Sequence, residues 1–177
     1  MRASTITNPQ PRIYAVCLAA YNSGYLHGAW IDAAQEPWSI YDDVKTMLAA
    51  SPIAGAEEWA IHDYEGFGEV RIEEYASFER VSALALFIVD HGEIGAALLD
   101  YYSGDLDEAR EAMADRYMGC HASLPDYVQE LTEETTTIPH ALRYYIDYQA
   151  MARDAELSGD LFTVSTSYDV VHVFAGC

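Results

Sequence analysis

The sequence contains very few cations. One lysine (Lys45) and eight arginines stand against 29 acidic residues, which gives 177 residues a formal charge of −20. A protein that binds nucleic acid or an anionic membrane needs a basic patch to neutralise phosphates, and no segment of this chain supplies one. Both classes of partner are therefore disfavoured, and a basic protein is favoured in their place.

Cysteine and long apolar runs are scarce as well. The three cysteines, Cys17, Cys120 and Cys177, are far apart and form no CxxC pair, so neither a zinc knuckle nor a disulfide framework is indicated. The polar opening MRASTITNPQPR has no apolar core for a signal peptide, and no later run is long enough to span a membrane. We therefore expect a soluble, cytoplasmic protein with reduced thiols.

Motifs that support catalysis or metal binding are also missing. The six histidines never stand three or four residues apart, and Asp105-Leu106-Asp107 lacks the glycine and distal glutamate of a calcium loop. There is no GxSxG, GxGxxG or GxxxxGK[ST] motif. A nucleophilic Cys17 or Cys120 with His62 and Asp63 has no support from spacing, and buried cysteine is the simpler interpretation. We predict no enzymatic activity, no cofactor and no metal.

What the sequence does contain is enough apolar material to fold. Hydrophobic residues make up 51% of the chain, with 14 Tyr, 5 Phe and 3 Trp, which argues against charge-driven disorder. The negative charge is spread along the chain, with net values of −7, −6 and −7 for residues 1–77, 78–118 and 119–177. Most carboxylates cannot be paired and must face water or a basic partner. A merely very soluble, halophile-like surface is the alternative interpretation.

Periodicity and turn residues predict an α+β protein. The strands are expected over 13–20, 25–32, 57–64, 161–165 and 170–174; the helices over 39–50, 78–91, 93–102, from Asp105, from Ser123 and over 139–157. This order suggests a flexible tail (1–11) and three small domains: an N-terminal α+β domain (12–77), a middle helical domain (78–118) and a C-terminal α+β domain (119–177). The outer two domains would carry small antiparallel sheets.

Two segments mix acids with aromatic residues in an unusual way. IHDYEGF at 61–67 leaves a predicted strand, and YYIDYQAMARD at 144–154 lies on the last predicted helix. Tyrosine and arginine are favoured at protein interfaces, so the second segment suggests a surface that is only partly buried. Ordinary core packing with a solvated face is the alternative.

These segments resemble the ArdA family of antirestriction proteins. The stretch YYIDYQAMARDAELSGDLF at 144–162 is similar to the family signature, commonly YxDYxAYxRDL, although Met151 stands where an aromatic residue is common and 155–157 replace a tighter RDL ending. Further similarity lies in IHDYEGF, in YNSGYLHGAWID at 21–32 and in ASLPDYVQELTEET at 122–135. Together these four stretches, in the family's order, extend the resemblance over almost the whole chain.

The resemblance implies a protein carried by mobile elements that inhibits type I restriction–modification enzymes. It implies an elongated homodimer of three-domain protomers that mimics bent B-form DNA and occupies the DNA-binding groove of the methyltransferase core. Charge arithmetic agrees, because duplex DNA carries one charge per about 1.7 Å, so 20 charges correspond to roughly 10 base pairs. An acidic adaptor or chaperone-like protein that binds another basic partner is the second hypothesis, and a hydrolase a distant third.

The resemblance and the acidic pattern together nominate two sets of residues. The acids expected to imitate phosphates are Asp42, Asp43, Glu57, Glu58, Asp63, Glu65, Glu69, Glu73, Glu74, Asp105, Asp107, Glu108, Glu111, Asp115, Asp126, Glu130, Glu133 and Glu134. The signature residues expected at or near the dimer contact are Tyr144, Tyr145, Asp147, Tyr148, Arg153 and Asp154.

Overall fold

The computed structural model describes residues 10–176, and the chain divides after Leu106 into an N-terminal and a C-terminal compact unit. The helices are α1 Leu18–Asn22, α2 Pro37–Ala49, α3 Phe78–His91, α4 Glu93–Tyr101, α5 Leu106–Glu111, α6 Leu124–Thr135 and α7 Tyr148–Ser158. The strands are β1 Arg12–Cys17, β2 Gly28–Asp32, β3 Trp59–Glu65, β4 Tyr117–His121, β5 Leu161–Ser167 and β6 Val170–Ala175. The predicted α+β class is confirmed, whereas the division into three domains stays a prediction.

The N-terminal unit is built on an antiparallel sheet of order β2-β1-β3. Strand alternation sends Ile13 and Ala15 of β1 and Ile31 of β2 into the core. Helix α2 packs against β2 and α3, and it contributes Ile40, which is fully buried. The sheet thus has one face against the helices, and its other face remains available to solvent near Arg12.

Helices α3 and α4 begin and end where the sequence predicts. The side chain of Ser77 accepts a hydrogen bond from the backbone N–H of Arg80 and caps α3. Gly92 then separates the two helices with φ 66°, a conformation that favours glycine. The apolar run in α3 fully buries Phe78, Leu84 and Ile88 in the core of the N-terminal unit.

The C-terminal unit has a second antiparallel sheet, of order β4-β6-β5, with α6 and α7 packed beside it. Its core is small: Leu124, Tyr127 and Val128 of α6 meet Ala152 of α7 and Val173 of β6. A π-helical turn, Ala112–Arg116, connects α5 to β4. Gly159 ends α7 in the left-handed conformation, at φ 79°.

Three sequence predictions about secondary structure are wrong. The strand predicted over 25–32 begins only at Gly28. The strand predicted over 13–20 ends at Cys17, because its Sγ accepts a hydrogen bond from the backbone N–H of Ala20 and starts the short helix α1. The helix predicted over 139–157 begins only at Tyr148, where the side chain of Asp147 caps it. The preceding residues are irregular except for the short 3₁₀ turn Arg143–Tyr145.

Among residues 10–176, no helix is both long and apolar enough to cross a lipid bilayer. The predicted tail (1–11) lies almost wholly outside the described residues, so only its last two positions are seen, and Pro11 is buried there.

Candidate functional site

All 29 acidic side chains of the chain are exposed. This includes every one of the 18 acids nominated from the sequence, and it extends to carboxylates that were not nominated, such as Glu79 and Asp90 on α3. Ionised carboxylates are costly to bury, so exposure by itself is expected. The unusual feature is the density of negative charge that this leaves on the surface of each unit.

In the N-terminal unit the nominated acids other than Asp105 occupy one helix, one strand and the loops around that strand. Asp42 lies on α2 on the side opposite the buried Ile40 and Val44, and Asp43 is exposed at the edge of that buried side. Asp63 and Glu65 lie on β3 and are exposed, whereas Ile61 of the same strand is buried. The remaining nominated acids stand before and after β3, namely Glu57, Glu58, Glu69, Glu73 and Glu74.

The negative charge of these carboxylates affects the pKa of one neighbouring phenol, that of Tyr75. The charge of Glu74 is the main cause that raises the pKa of Tyr75 above its ordinary value, with desolvation and a hydrogen bond to Glu74 next and the charge of Glu58 last. An exposed phenol is harder to ionise where nearby charge is already negative. The loop around Glu74 is therefore a region of negative potential, as a surface that binds cations requires.

In the C-terminal unit the acids line one side of α6. Asp126, Glu130, Glu133 and Glu134 recur at helical spacing, while Leu124, Tyr127 and Val128 occupy the buried side. Asp126 also stabilises the start of the helix, because its carboxylate accepts a hydrogen bond from the Ser123 hydroxyl at 2.6 Å. The other nominated acids of this unit lie on α5 and the π-helical turn, namely Asp107, Glu108, Glu111 and Asp115. Asp105 stands directly before α5 and belongs to the N-terminal unit.

Most of the chain's cations are already engaged by these acids. Lys45 lies 3.4 Å from Asp42, Arg71 lies 3.4 Å from Glu73, and Arg12 pairs with Glu65. Arg116 bridges Glu108 and Glu111, at 3.1 and 3.3 Å. Among the described residues, no cation lies within ion-pair distance of Glu57, Glu58, Asp63 or Glu69, nor of Glu133 or Glu134. These carboxylates are open to an external partner.

The six signature residues do not share one environment. Tyr144 and Tyr145 are 84% and 83% exposed on the 3₁₀ turn. Asp147 accepts a hydrogen bond from the backbone N–H of Ala150 at 2.9 Å, and Tyr148 packs against the C-terminal core. The last two, Arg153 and Asp154, are exposed on α7 with 3.8 Å between their charged groups. The signature thus combines two structural residues with four that face solvent.

An open cleft of about 460 Å³ lies where the signature meets the first turn of α6. Its lining includes the three tyrosines of the signature together with Asp126 and Asp147. Within the part of the chain that the structure describes, no three His, Cys, Asp or Glu residues are grouped so that they could hold a metal ion. The cleft offers aromatic rings and carboxylates, which suit a cationic or aromatic side chain of a protein.

Sequence reasoning missed a set of exposed aromatic residues in the N-terminal unit. Trp30 of β2 is 41% exposed and lies on the solvent side of the sheet, with the ring of Tyr14 at 5.4 Å between centroids. The guanidinium of Arg12 lies 5.1 Å from the centroid of the Trp30 ring. Side chains alternate along a strand, so the apolar Ile31 predicts that its neighbour Trp30 faces solvent. The pairing with β1 that brings Arg12 and Tyr14 beside Trp30 cannot be predicted from the local sequence.

No curated protein matches the chain at a significant level. A sequence model of the family described as antirestriction protein (ArdA) matches residues 13–170, which is most of the chain and includes all 18 nominated acids and all six signature residues. The chain belongs to the ArdA family of antirestriction proteins.

Proposed function

We propose that this antirestriction protein mimics B-form DNA and inhibits type I restriction–modification enzymes by occupying the DNA-binding groove of the methyltransferase core. The observation that carries the proposal is the exposure of all 29 carboxylates in a chain with nine cations. A groove lined with cations normally releases counterions from phosphates, and rigidly held carboxylates use the same interaction. Inhibition is stoichiometric occlusion, without catalysis or cofactor, in the cytoplasm.

The exposed signature residues support a homodimer. Tyr144 and Tyr145 are 84% and 83% exposed, and exposed aromatic side chains in a cluster are typical of protein interfaces. We infer that Tyr144, Tyr145, Arg153 and Asp154 contribute to the dimer contact, while Asp147 and Tyr148 keep α7 in position. Two copies would present charge equivalent to roughly 20 base pairs. Small-angle scattering tests the dimer and the elongated, three-domain protomer expected from the family.

A displacement experiment tests the mechanism. A purified type I methyltransferase is bound to a labelled duplex and titrated with the protein at several salt concentrations. We expect one dimer to displace one duplex, with an affinity that falls steeply as salt rises. Displacement at far less than one dimer per enzyme would indicate an enzyme. A protein that binds the methyltransferase and leaves the duplex in place would support the second hypothesis, an acidic adaptor for another basic partner.

Two sets of four substitutions show whether position matters as well as total charge. The first neutralises one side of α6: Asp126→Asn, Glu130→Gln, Glu133→Gln and Glu134→Gln. The second removes four exposed acids of α3 and α4 that were not nominated: Glu79→Gln, Asp90→Asn, Glu93→Gln and Asp100→Asn. We expect the first set to weaken displacement by more than tenfold and to reduce its salt dependence, and the second to have a smaller effect. Equal effects of the two sets would argue for net charge alone.

A further inference from the structure

The N-terminal sheet carries an aromatic and acidic surface on the face that the helices do not cover. Directly opposite residues in antiparallel strands share a face, and the register pairs Tyr14 with Trp30 on one side and with Asp63 on the other. Arg12 precedes Tyr14 by two residues in β1 and lies on the same face, where it is paired with Asp32 of β2 and with Glu65 of β3. We define these six residues as the open sheet face.

Core packing does not account for the composition of this face. The alternate residues Ile13, Ala15 and Ile31 are buried against the helices, whereas Trp30 on the open side is 41% exposed. A large ring on a solvated strand position contributes little to the core, and tryptophan is one of the residues enriched where proteins bind partners. The Tyr14 ring lies beside the Trp30 ring, with an angle of 47° between the two planes.

One guanidinium already occupies part of this surface. Arg12 lies over the Trp30 ring, 5.1 Å from its centroid, and its Nε donates a hydrogen bond to Glu65 at 2.6 Å. The same face therefore offers arginine both an aromatic plane and a carboxylate. Within residues 10–176, no cation approaches Asp32 or Asp63 to ion-pair distance. The three carboxylates outnumber Arg12, so the open sheet face keeps a net charge of −2.

We propose that the open sheet face binds arginine side chains of the basic partner, with the guanidinium stacked beside Trp30 and paired with Asp32 or Asp63. The proposal rests on the proposed function for the identity of that partner. Aromatic residues on a sheet often stack nucleobases, but here the carboxylates repel phosphates, so charge favours a basic protein. Arginine is preferred over lysine because its planar, weakly hydrated cation stacks on rings and pairs with carboxylates in the same geometry.

Peptide binding tests this surface without the restriction enzyme. Octa-arginine and octa-lysine peptides have equal charge, and their affinities for the intact protein are measured by calorimetry at two salt concentrations. We expect Trp30→Ala to weaken octa-arginine binding roughly two- to fivefold and to leave octa-lysine binding unchanged, because only the guanidinium loses a stacking partner. Trp30→Phe should retain most of the preference for arginine and shows that the strand still folds.

Trp38 provides a matched control. It is 66% exposed at the start of α2, and no described cation lies over its ring. We expect Trp38→Ala to bind both peptides as the unsubstituted protein does. Equal losses in the two tryptophan variants, or a loss in Trp30→Ala that is the same for both peptides, would overturn the proposal. A change in the mass of Trp30→Ala by light scattering would also overturn it, because the face would then be a contact between copies.

The displacement experiment separates this proposal from the proposed function. If the arginine preference depends on Trp30 but the protein fails to displace duplex DNA, the open sheet face binds arginine and the proposed function is wrong. If displacement occurs and the preference is absent, only the present proposal fails. If both hold, raising the salt should leave Trp30→Ala a weaker inhibitor than the unsubstituted protein, since stacking is less screened than ion pairing.

Discussion

The two units of the protein differ in what holds them together. The N-terminal unit buries large apolar side chains, with Phe78 enclosed between the rings of Trp59 and Tyr41 at 4.3 and 4.6 Å. The C-terminal unit has a smaller core and leaves Tyr144 and Tyr145 at the surface. It also contains Arg116, which is nearly buried and bridges Glu108 and Glu111, and His172, which is hydrogen-bonded to Tyr117. The comparison teaches that both units expose aromatic side chains, whereas the N-terminal unit buries more large apolar side chains than the C-terminal unit.

The largest effect is expected from the apolar core. Phe78→Ala removes a fully buried ring and leaves a cavity between Trp59 and Tyr41, so we expect it to lower the free energy of unfolding by about 3–5 kcal/mol. Urea titration followed by tryptophan fluorescence measures the loss, since Trp59 stacks on Phe78. Tyr75→Ala, at an exposed position, is the control and should change the free energy of unfolding by less than about 0.5 kcal/mol. A loss below about 1 kcal/mol in Phe78→Ala would contradict the comparison.

An intermediate effect is expected from the buried cation of the C-terminal unit. The side chain of Arg116 is only 9% exposed and bridges Glu108 and Glu111. Arg116→Ala should lower the free energy of unfolding by about 1.5–3 kcal/mol, because it removes charged hydrogen bonds and leaves two carboxylates repelling each other. Arg110→Ala is the matched control: its side chain is exposed and lies 4.0 Å from Asp107, so its loss should be close to zero. Equal losses in the two variants would mean that burial of Arg116 is unimportant.

The smallest effect is expected from pH. His172 hydrogen-bonds the Tyr117 hydroxyl through Nδ1 at 2.9 Å and contacts the Thr166 hydroxyl through Nε2 at 3.3 Å, and burial lowers its pKa below 6.5. The unfolded chain therefore binds this proton more readily, so stability is complete above about pH 6.5 and declines as the pH falls from there toward the lower pKa of the folded protein.

Urea titrations at pH 7.5, 6.5 and 5.5 measure this dependence. The pH also acts on groups that both proteins share, so the informative quantity is the difference in stability between the unsubstituted protein and His172→Gln. We expect the substituted protein to lose less stability on acidification. An identical pH profile in both proteins would show that the environment of His172 in β6 does not disfavour its charged form.

Local signals in the sequence predict the N-terminal helices better than the C-terminal signature. Ser77 and Gly92 stand at the two ends of α3, and the residues between them are apolar enough to indicate a buried helix. The bounds of α3 were therefore predicted correctly. Residues 139–157 have helical periodicity throughout, yet the helix begins only at Tyr148. Periodicity assumes that the apolar face is buried against another element, whereas Tyr144 and Tyr145 are 84% and 83% exposed.

The sequence predicts which acidic residues are exposed, but it does not predict how they are arranged on the folded protein. An acidic residue is almost always exposed, so the exposure of the 18 nominated carboxylates follows from residue type. Which of them the few cations would engage depends on tertiary contacts such as Arg12 with Glu65, 53 positions apart. The open sheet face has the same origin, since strand pairing alone brings Trp30, Tyr14 and Asp63 side by side.

Because no carboxylate takes part in either hydrophobic core, the acids can be exchanged without redesigning the scaffold. Under the proposed function, surface substitutions can therefore match the negative charge to a target with a different distribution of cations while the buried residues stay fixed. The same independence makes the protein a convenient support on which an engineered pattern of charge can be displayed.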